Sequence, residues 1–496
     1  MSMTQGHDAG NPAGKMLAIG AGGAPNVFFT KIYDFNPNDF ASGNTPNGRL
    51  IIDAAGNIYG VTLYGGYAPN DNILGGGVVF MLTPVSGGTY GYTVLHTFQG
   101  GPHDGARPVG GLTRDSAGNL YGTAAAGGSG WSGTVFKLTQ GQDGSGYTLT
   151  NLYDFTAMSP SATNSDGAAP TSSLIVDANG TLFGTTSNGG ANGAGTVFRL
   201  ARQTDGNYTL TNLHDFAAAQ GYGDTTGGLV MDAAGNLYGL KTAGGANASG
   251  EIFGLFMPDY SYRSLYSFPL VDYARAMPMG SLVIDGSGVL FGTTSEGGDN
   301  ISGTVFSYPS GSTPATPTNL HVFNDLKGSF SPDAGVILDP AGNLFGTASS
   351  SSTGYGAVYK LTRNDDGTYG YATLFEFTEQ KRQGEAPQNT LVLDSVGALF
   401  GTTLEGGAYN GGVVFRIGET AEAMAVMENG VVLEIVVLYP GRGYTSPPTV
   451  WITPSTNGMT AQAVATVSNG SVTAVTMTNN GSGYDFGPQV GFTPTD

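Results

Sequence analysis

Seven copies of one phrase run along the chain, and they leave few architectures open. Each reads Asp-x-x-Gly, then Asn, Thr, Val or Ala, then an apolar residue, then Tyr or Phe, then Gly; "DANGTLFG" from Asp177 and "DAAGNLYG" from Asp232 are two of them. The aspartates are Asp53, Asp115, Asp177, Asp232, Asp285, Asp339 and Asp394, at intervals of 62, 62, 55, 53, 54 and 55 residues. A period of this size marks a repeat whose single unit cannot bury its own faces and is stacked on its neighbours. A second phrase follows every copy, as in "GTVF", and ends at Phe80, Phe136, Phe198, Phe253, Phe306, Tyr359 and Phe415. A third places an apolar–aromatic pair shortly before Phe: "LHTF" at 95–98, "LYDF" at 152–155, "LHDF" at 213–216, "LYSF" at 265–268, "LHVF" at 320–323 and "LFEF" at 374–377. Its seventh occurrence, "IYDF" from Ile32 to Phe35, stands ahead of everything else.

The first phrase encodes a hairpin. Runs of β-formers flank a four-residue turn, with Asp at position i to accept backbone N–H bonds and Gly at i+3 to take positive φ. A type I turn with a G1 bulge is a common short connection of this kind. In "DPAG", Pro340 sits at i+1, where its fixed φ suits the turn. The second and third phrases form another hairpin, with turn signals at 87–88, 143–144, 205–206 and 366–367. Each repeat is therefore four antiparallel strands, and no helical period intervenes. Seven such units predict an all-β, seven-bladed β-propeller over 27–417, with a linear β-solenoid of long coils as the lesser alternative. The seventh unit lacks a third phrase after it, so the N-terminal segment 26–35 is expected to supply its fourth strand, pairing with Gly412–Ile417 in a 3+1 last blade. The Gly after each Tyr or Phe (Gly60, Gly122, Gly184, Gly239, Gly292, Gly346 and Gly401) is expected to admit a neighbouring blade at close range.

The combined pattern, "GLxxDxxGNLYGTTxxGGxxxxGTVFKL…LYxF", resembles the GloVer tandem repeat over roughly 27–417 and is distantly similar to NHL-type propellers. The sixth copy departs from it, with "SSSSTG" (Ser349 to Gly354) in place of the "GG" loop. The resemblance implies a propeller on an exported or surface protein with an interchangeable C-terminal anchor, and it implies no catalytic residue.

After Ile417 the pattern changes. Residues 423–454 realign with 463–494, Tyr444 with Tyr484, and "NG" at 429–430 and 469–470 between β-rich runs signals two hairpins. The two "GxGY" runs followed by Pro resemble repeats of phage virion, tail-fibre and bacterial surface proteins. A C-terminal β module of two ~40-residue repeats over 418–496 is expected to attach or oligomerise the chain, and 1–26 is expected to be a flexible tail.

Composition narrows the function classes. Acids outnumber bases 37 to 18, for a formal charge of −19, which opposes nucleic acid and anionic membrane. The absence of Cys excludes disulfides, thiolate-ligated metals and thiol nucleophiles. Glycine, 83 of 496 residues, is spread through apolar segments as tight turns and close packing require. No apolar run is long enough to span a bilayer, and the first 26 residues lack a Sec-type apolar core.

The candidates for chemistry are few. His96, His214 and His321 fill a repeat position held elsewhere by Tyr33, Tyr153, Tyr266 and Phe375, so they read as packing aromatics on separate units and not as one metal site. The seven turn aspartates read as caps and not as calcium ligands, and "DDG" at 365–367 lacks the carboxylates of an EF-hand loop. There is no nucleophile elbow and no P-loop. Polar residues outside the repeat pattern, Glu296, Glu405, Arg107, Arg263, Arg275, Arg382 and Trp131, are the natural places for a site, but none earns a catalytic, ligand or metal role. The expected function is a non-enzymatic, exported or surface-associated scaffold that binds a protein or glycan without a cofactor, self-associating through its C-terminal module. The alternatives are a propeller enzyme acting on carbohydrate or a small ester, and a phage-derived virion or tail protein.

Overall fold

The computed structural model describes residues 16–17, 27–66, 75–85, 89–141, 146–217, 227–270, 276–298, 302–311, 314–323, 331–378, 383–484 and 487–495. The turns expected at 87–88 and 143–144 lie outside these residues, as does the tail before residue 27 apart from Met16–Leu17, whose backbone pairs with Met427 and Val426. The chain divides into two compact units. One comprises Thr30–Leu393 and Phe400–Arg416, the other Met1–Phe29, Asp394–Leu399 and Ile417–Asp496. The described residues contain strands and no α-helix.

The repeat region is built of four-stranded sheets, and seven of them lie among the described residues. The third is typical: Ile175–Val176, Leu182–Thr186, Thr196–Arg202 and Tyr208–Asp215, each antiparallel to the next. The first two strands are joined by the Asp-x-x-Gly turn, which behaves as its residues dictate. In the first sheet Asp53 O accepts from Gly56 N at 3.0 Å, Gly56 takes φ +81°, and Asp53 N donates to Asn57 O. The Asp53 carboxylate accepts from the amides of Ala55 and Asn57, the Asn57 side chain and the Tyr59 hydroxyl. Burial raises the pKa of Asp53, Asp115 and Asp285, but these hydrogen bonds outweigh it and hold all three below the ordinary value.

The glycine after each aromatic serves a purpose other than the expected one. Gly184 lies opposite Phe198 in the register, and a Cβ there would stand 2.6 Å from Phe198 Cζ and 2.8 Å from Leu174 Cδ2. The same clash recurs at Gly60 with Phe80 and at Gly401 with Phe415. The glycine makes room for an aromatic ring of its own sheet, not for a neighbouring sheet. Gly184→Ala is therefore expected to destabilise the chain by about 1–3 kcal/mol through overpacking, read from its denaturant midpoint, and Phe198→Leu in the same chain should recover part of the loss.

Those rings carry the packing between sheets. The Phe that closes each third phrase meets the cross-strand ring of the next sheet edge-on: Phe98 meets Phe136 at 5.2 Å, Phe155 meets Phe198 at 5.4 Å, and Phe216 meets Phe253 at 5.4 Å. Phe268 with Phe306, Phe323 with Tyr359 and Phe377 with Phe415 continue the series. The strand Val27–Asp34 lies beside Val413–Glu419 in the sheet that holds Phe415, and Phe35 just after it meets Phe80 of the first sheet at 5.4 Å. The series of contacts thus returns to its start. Between successive sheets the core is apolar, as where Tyr59, Val61, Val79 and Phe98 pack on Leu112, Leu120 and Phe136.

In the other unit, Glu422–Glu428 pairs with Val431–Tyr439, and Gln462–Ser468 with Ser471–Asn479. Both Asn-Gly turns have positive φ at both residues, as a type I′ turn needs. The two repeats are tied reciprocally: Tyr444 N donates to Gly470 O, and Tyr484 N to Gly430 O. Each tyrosine hydroxyl also accepts from the residue just before the first strand of its own repeat, at Ala421 N and Ala461 N.

Candidate functional site

A cavity of about 270 Å³ is lined by residues in, or just before, the first strand of each of the seven sheets. Its walls come from equivalent positions of each repeat, just before the apolar residue that leads into the turn: Gly48 and Arg49, Gly110 and Gly111, Ser173, Gly228, Gly280 and Ser281, Ala334, Asn389 and Thr390. Close approach dictates small residues there. A Cβ on Gly48 would lie 2.7 Å from Gly111 N, and one on Gly335 would lie 2.2 Å from Ser281 O. Neighbouring sheets are also clasped by hydrogen bonds around the cavity. Thr123 Oγ1 donates to Ser172 O, Thr293 Oγ1 to Ala334 O, and Thr347 Oγ1 to Asn389 O. Asn389 extends the series, since its Oδ1 accepts from Gly48 N at 3.0 Å and its Nδ2 donates to Pro46 O and Thr402 Oγ1.

Two charged residues break this small, neutral lining. Arg49 stands where the other repeats have Gly111, Ser173, Gly228, Ser281, Gly335 and Thr390. Its side chain is exposed to the cavity, and partial desolvation by the walls lowers its pKa from the ordinary value. It makes no ion pair or side-chain hydrogen bond among the described residues. Asp333 occupies the position of Asn47, two residues before that of Arg49 in the repeat, and lines the same cavity. Burial raises its pKa, a hydrogen bond from Ser349 Oγ opposes the rise, and the charge of Glu296 adds to it.

The residues singled out by sequence do not assemble into one site. Glu296 is coupled electrostatically to Asp333, and Glu405 exchanges backbone hydrogen bonds with Glu385. Arg107 and Trp131 hold positive φ near the second sheet, and the Arg263 guanidinium lies over the Phe256 ring. Arg275 and Arg382 lie outside the described residues. Arg49 and Asp333 were missed, although for Arg49 a charge at an otherwise Gly/Ser/Thr position of the repeat was there to be seen. Among the described residues no three His, Asp or Glu converge in a way that could hold a metal ion.

The histidines pack as aromatics. His214 stacks on Tyr262 at 3.8 Å and His321 on Tyr371 at 4.0 Å, as Tyr33 does on Tyr92. His96 lies 3.2 Å from the Asp104 carboxylate. Burial drives the pKa of His321 down to about 4. The unfolded residue titrates near 6.5, so between the two values the unfolded chain holds a proton that the folded chain lacks. Stability from this site is full above about pH 6.5 and is lost as pH falls towards 4. Urea unfolding at pH 4.5 and 7.5 should show a loss of about 1–2 kcal/mol from His321 after solvent screening, and His321→Tyr, the residue of three other repeats, should abolish that part.

The fourth sheet departs from the pattern in its interior. Lys241 and Glu251 are cross-strand neighbours, wholly buried, where the third and fifth sheets have the hydrogen-bonded pairs Thr186–Thr196 and Thr294–Thr304. Glu251 accepts from the Tyr262 hydroxyl at 2.6 Å and from Ser264 Oγ at 2.7 Å. Lys241 Nζ has no hydrogen-bond partner among the described residues and lies 4.7 Å from the centre of the Phe216 ring. Burial lowers its pKa, and the charge of Glu251 opposes the shift.

The Gloeobacter/Verrucomicrobia repeat matches four times in overlapping tandem, over 11–162, 72–283, 140–350 and 258–431. The chain belongs to this repeat family. No curated protein matches its sequence. Among solved structures it is similar to a Bacteroides uniformis protein assigned as a 6-phosphogluconolactonase, at 14% identity over 68% of this chain and 86% of that one, with a TM-score of 0.44. The periplasmic gluconolactonase of Pseudomonas aeruginosa gives 14%, 66%, 84% and 0.43, and a luciferin-regenerating enzyme gives 13%, 62%, 90% and 0.39. Likenesses of this order assign neither substrate nor chemistry. No helix among the described residues is long and apolar enough to cross a membrane.

Proposed function

We propose that this family member is a seven-bladed β-propeller, closed by its N-terminal strand, that works as an exported or surface-associated binding scaffold and takes its ligand in the axial cavity. The observation that carries the reading is the cavity itself. Every one of the seven sheets contributes residues to it from its first strand or the segment just before it, and the charged departures from a neutral lining are Arg49 and Asp333. A ligand site uses a small number of placed polar or charged groups of this kind. The return of the aromatic series from Phe415 through Phe35 to Phe80 supports the closed seven-bladed form. Residues 418–496 serve as the attachment or self-association module. In support, the large apolar side chains of Leu433, Leu438, Trp451, Met459 and Val464 are exposed there.

The reading is tested by thermal-shift and glycan-array screens of the full chain. Saturable binding is expected, weakened when Thr390→Met narrows the cavity. Ligands that bind the Thr390→Met chain as tightly as the parent would remove the cavity from the account, and turnover of an ester or glycoside would replace the scaffold with an enzyme.

A further inference from the structure

We propose that the axial cavity selects a small hydroxylated monocarboxylate, held by Arg49; this deepens the binding reading and rests on it. The Arg49 side chain is exposed to the cavity, so the fold itself demands no acceptor for it. Arg49 has none among the described residues, although Asp333 lines the same cavity. The sheets could have placed Gly, Ser or Thr at residue 49, as every other repeat does. What is left facing the cavity is a planar fork of N–H donors, which fits a carboxylate with two parallel hydrogen bonds.

Three features narrow the ligand. The volume, about 270 Å³, lies at the small end of ordinary ligand pockets, about 300–1,000 Å³, which suits a compact organic acid. The remaining polar side chains of the wall are uncharged, with hydroxyls at Thr171, Ser173, Ser281 and Thr390 suited to ligand hydroxyl groups. Asp333 is the other charged group, and its negative form repels a second anionic charge, so one carboxylate is favoured over a dicarboxylate or a phosphate dianion. Gly48, bonded to Asn389, fixes the backbone immediately before Arg49, so the cation is held on a rigid wall and not on a loop.

The test is calorimetric titration of the full chain with glycerate, threonate and gluconate, with the neutral polyols glycerol, threitol and sorbitol, and with inorganic phosphate. At least one hydroxy acid is expected to bind tenfold or more tightly than its polyol and than phosphate. Arg49→Ser, the residue of the third and fifth repeats at this position, is expected to melt like the parent and to lose that binding at least tenfold. Asp333→Asn is expected to narrow the margin over phosphate. Equal binding of polyols and acids that survives Arg49→Ser overturns the carboxylate proposal and leaves the cavity as a binding site. Phosphate binding as tight as that of the acids, lost in Arg49→Ser, overturns the choice of carboxylate. A parent chain that binds no acid but binds other ligands elsewhere overturns both this proposal and the cavity reading.

Discussion

A chain lacking residues 1–35 is expected to lose its cooperative melt and to aggregate at temperatures where the full chain is folded. The deletion removes a strand from the last sheet and Phe35, which is wholly buried. Phe35 N donates to Gly412 O and Ala408 N to the Asp34 carboxylate, while Tyr33 stacks on Tyr92 at 4.2 Å. Burial of large apolar side chains at roughly 1.5–3 kcal/mol each, with several backbone hydrogen bonds at about 0.5–1.5 kcal/mol, matches the whole margin of an ordinary domain, about 5–15 kcal/mol. The deletion would also expose the edge of Val413–Glu419 to other chains. Deleting residues 1–24 should change little, and Phe35→Ala alone should cost about 3–5 kcal/mol. Calorimetry and light scattering read the outcome; a 1–35 deletion that melts like the parent would end the closure reading.

The second large effect is expected inside the fourth sheet. Glu251→Thr leaves Lys241 buried without its compensating charge and strips the acceptor from Tyr262 and Ser264. A loss of about 3–5 kcal/mol is expected, as for a buried pair broken from one side. Lys241→Thr together with Glu251→Thr restores the arrangement that the third sheet already uses, Thr186 bonded to Thr196 at 3.0 Å. That double variant should regain the parent's stability or exceed it. Denaturant unfolding of the three chains decides the matter: a double variant no better than Glu251→Thr would show that the site needs its charges for folding.

What the sequence made legible was local. Asp53 and Gly56 announce their turn because both the cap and the positive φ are properties of those residues alone. Asn429-Gly430 and Asn469-Gly470 announce their hairpins for the same reason. The neighbour of Val413–Glu419 could be found because one phrase was missing at one end and in surplus at the other. The role of Gly184 was not legible, since nothing in the chain says whether the ring over it comes from its own sheet or from the next. Arg49 was hidden in plain view: it looks like an ordinary surface residue until the first strands of distant repeats are brought around one cavity. The reciprocal bonds of Tyr444 and Tyr484 depend on how two repeats face each other, which periodicity does not specify.

The pairing of Val27–Asp34 with Val413–Glu419 has a cost in time. Asp34 and Ala408 are 374 residues apart. At ribosomal rates of 5–20 residues per second, roughly 20–75 s pass between the synthesis of one and the other. Through that interval Val27–Asp34, half-buried along its whole length in the finished molecule, waits without its partner strand while six sheets form behind it. The nascent chain therefore carries an unpaired strand until Val413–Glu419 is made.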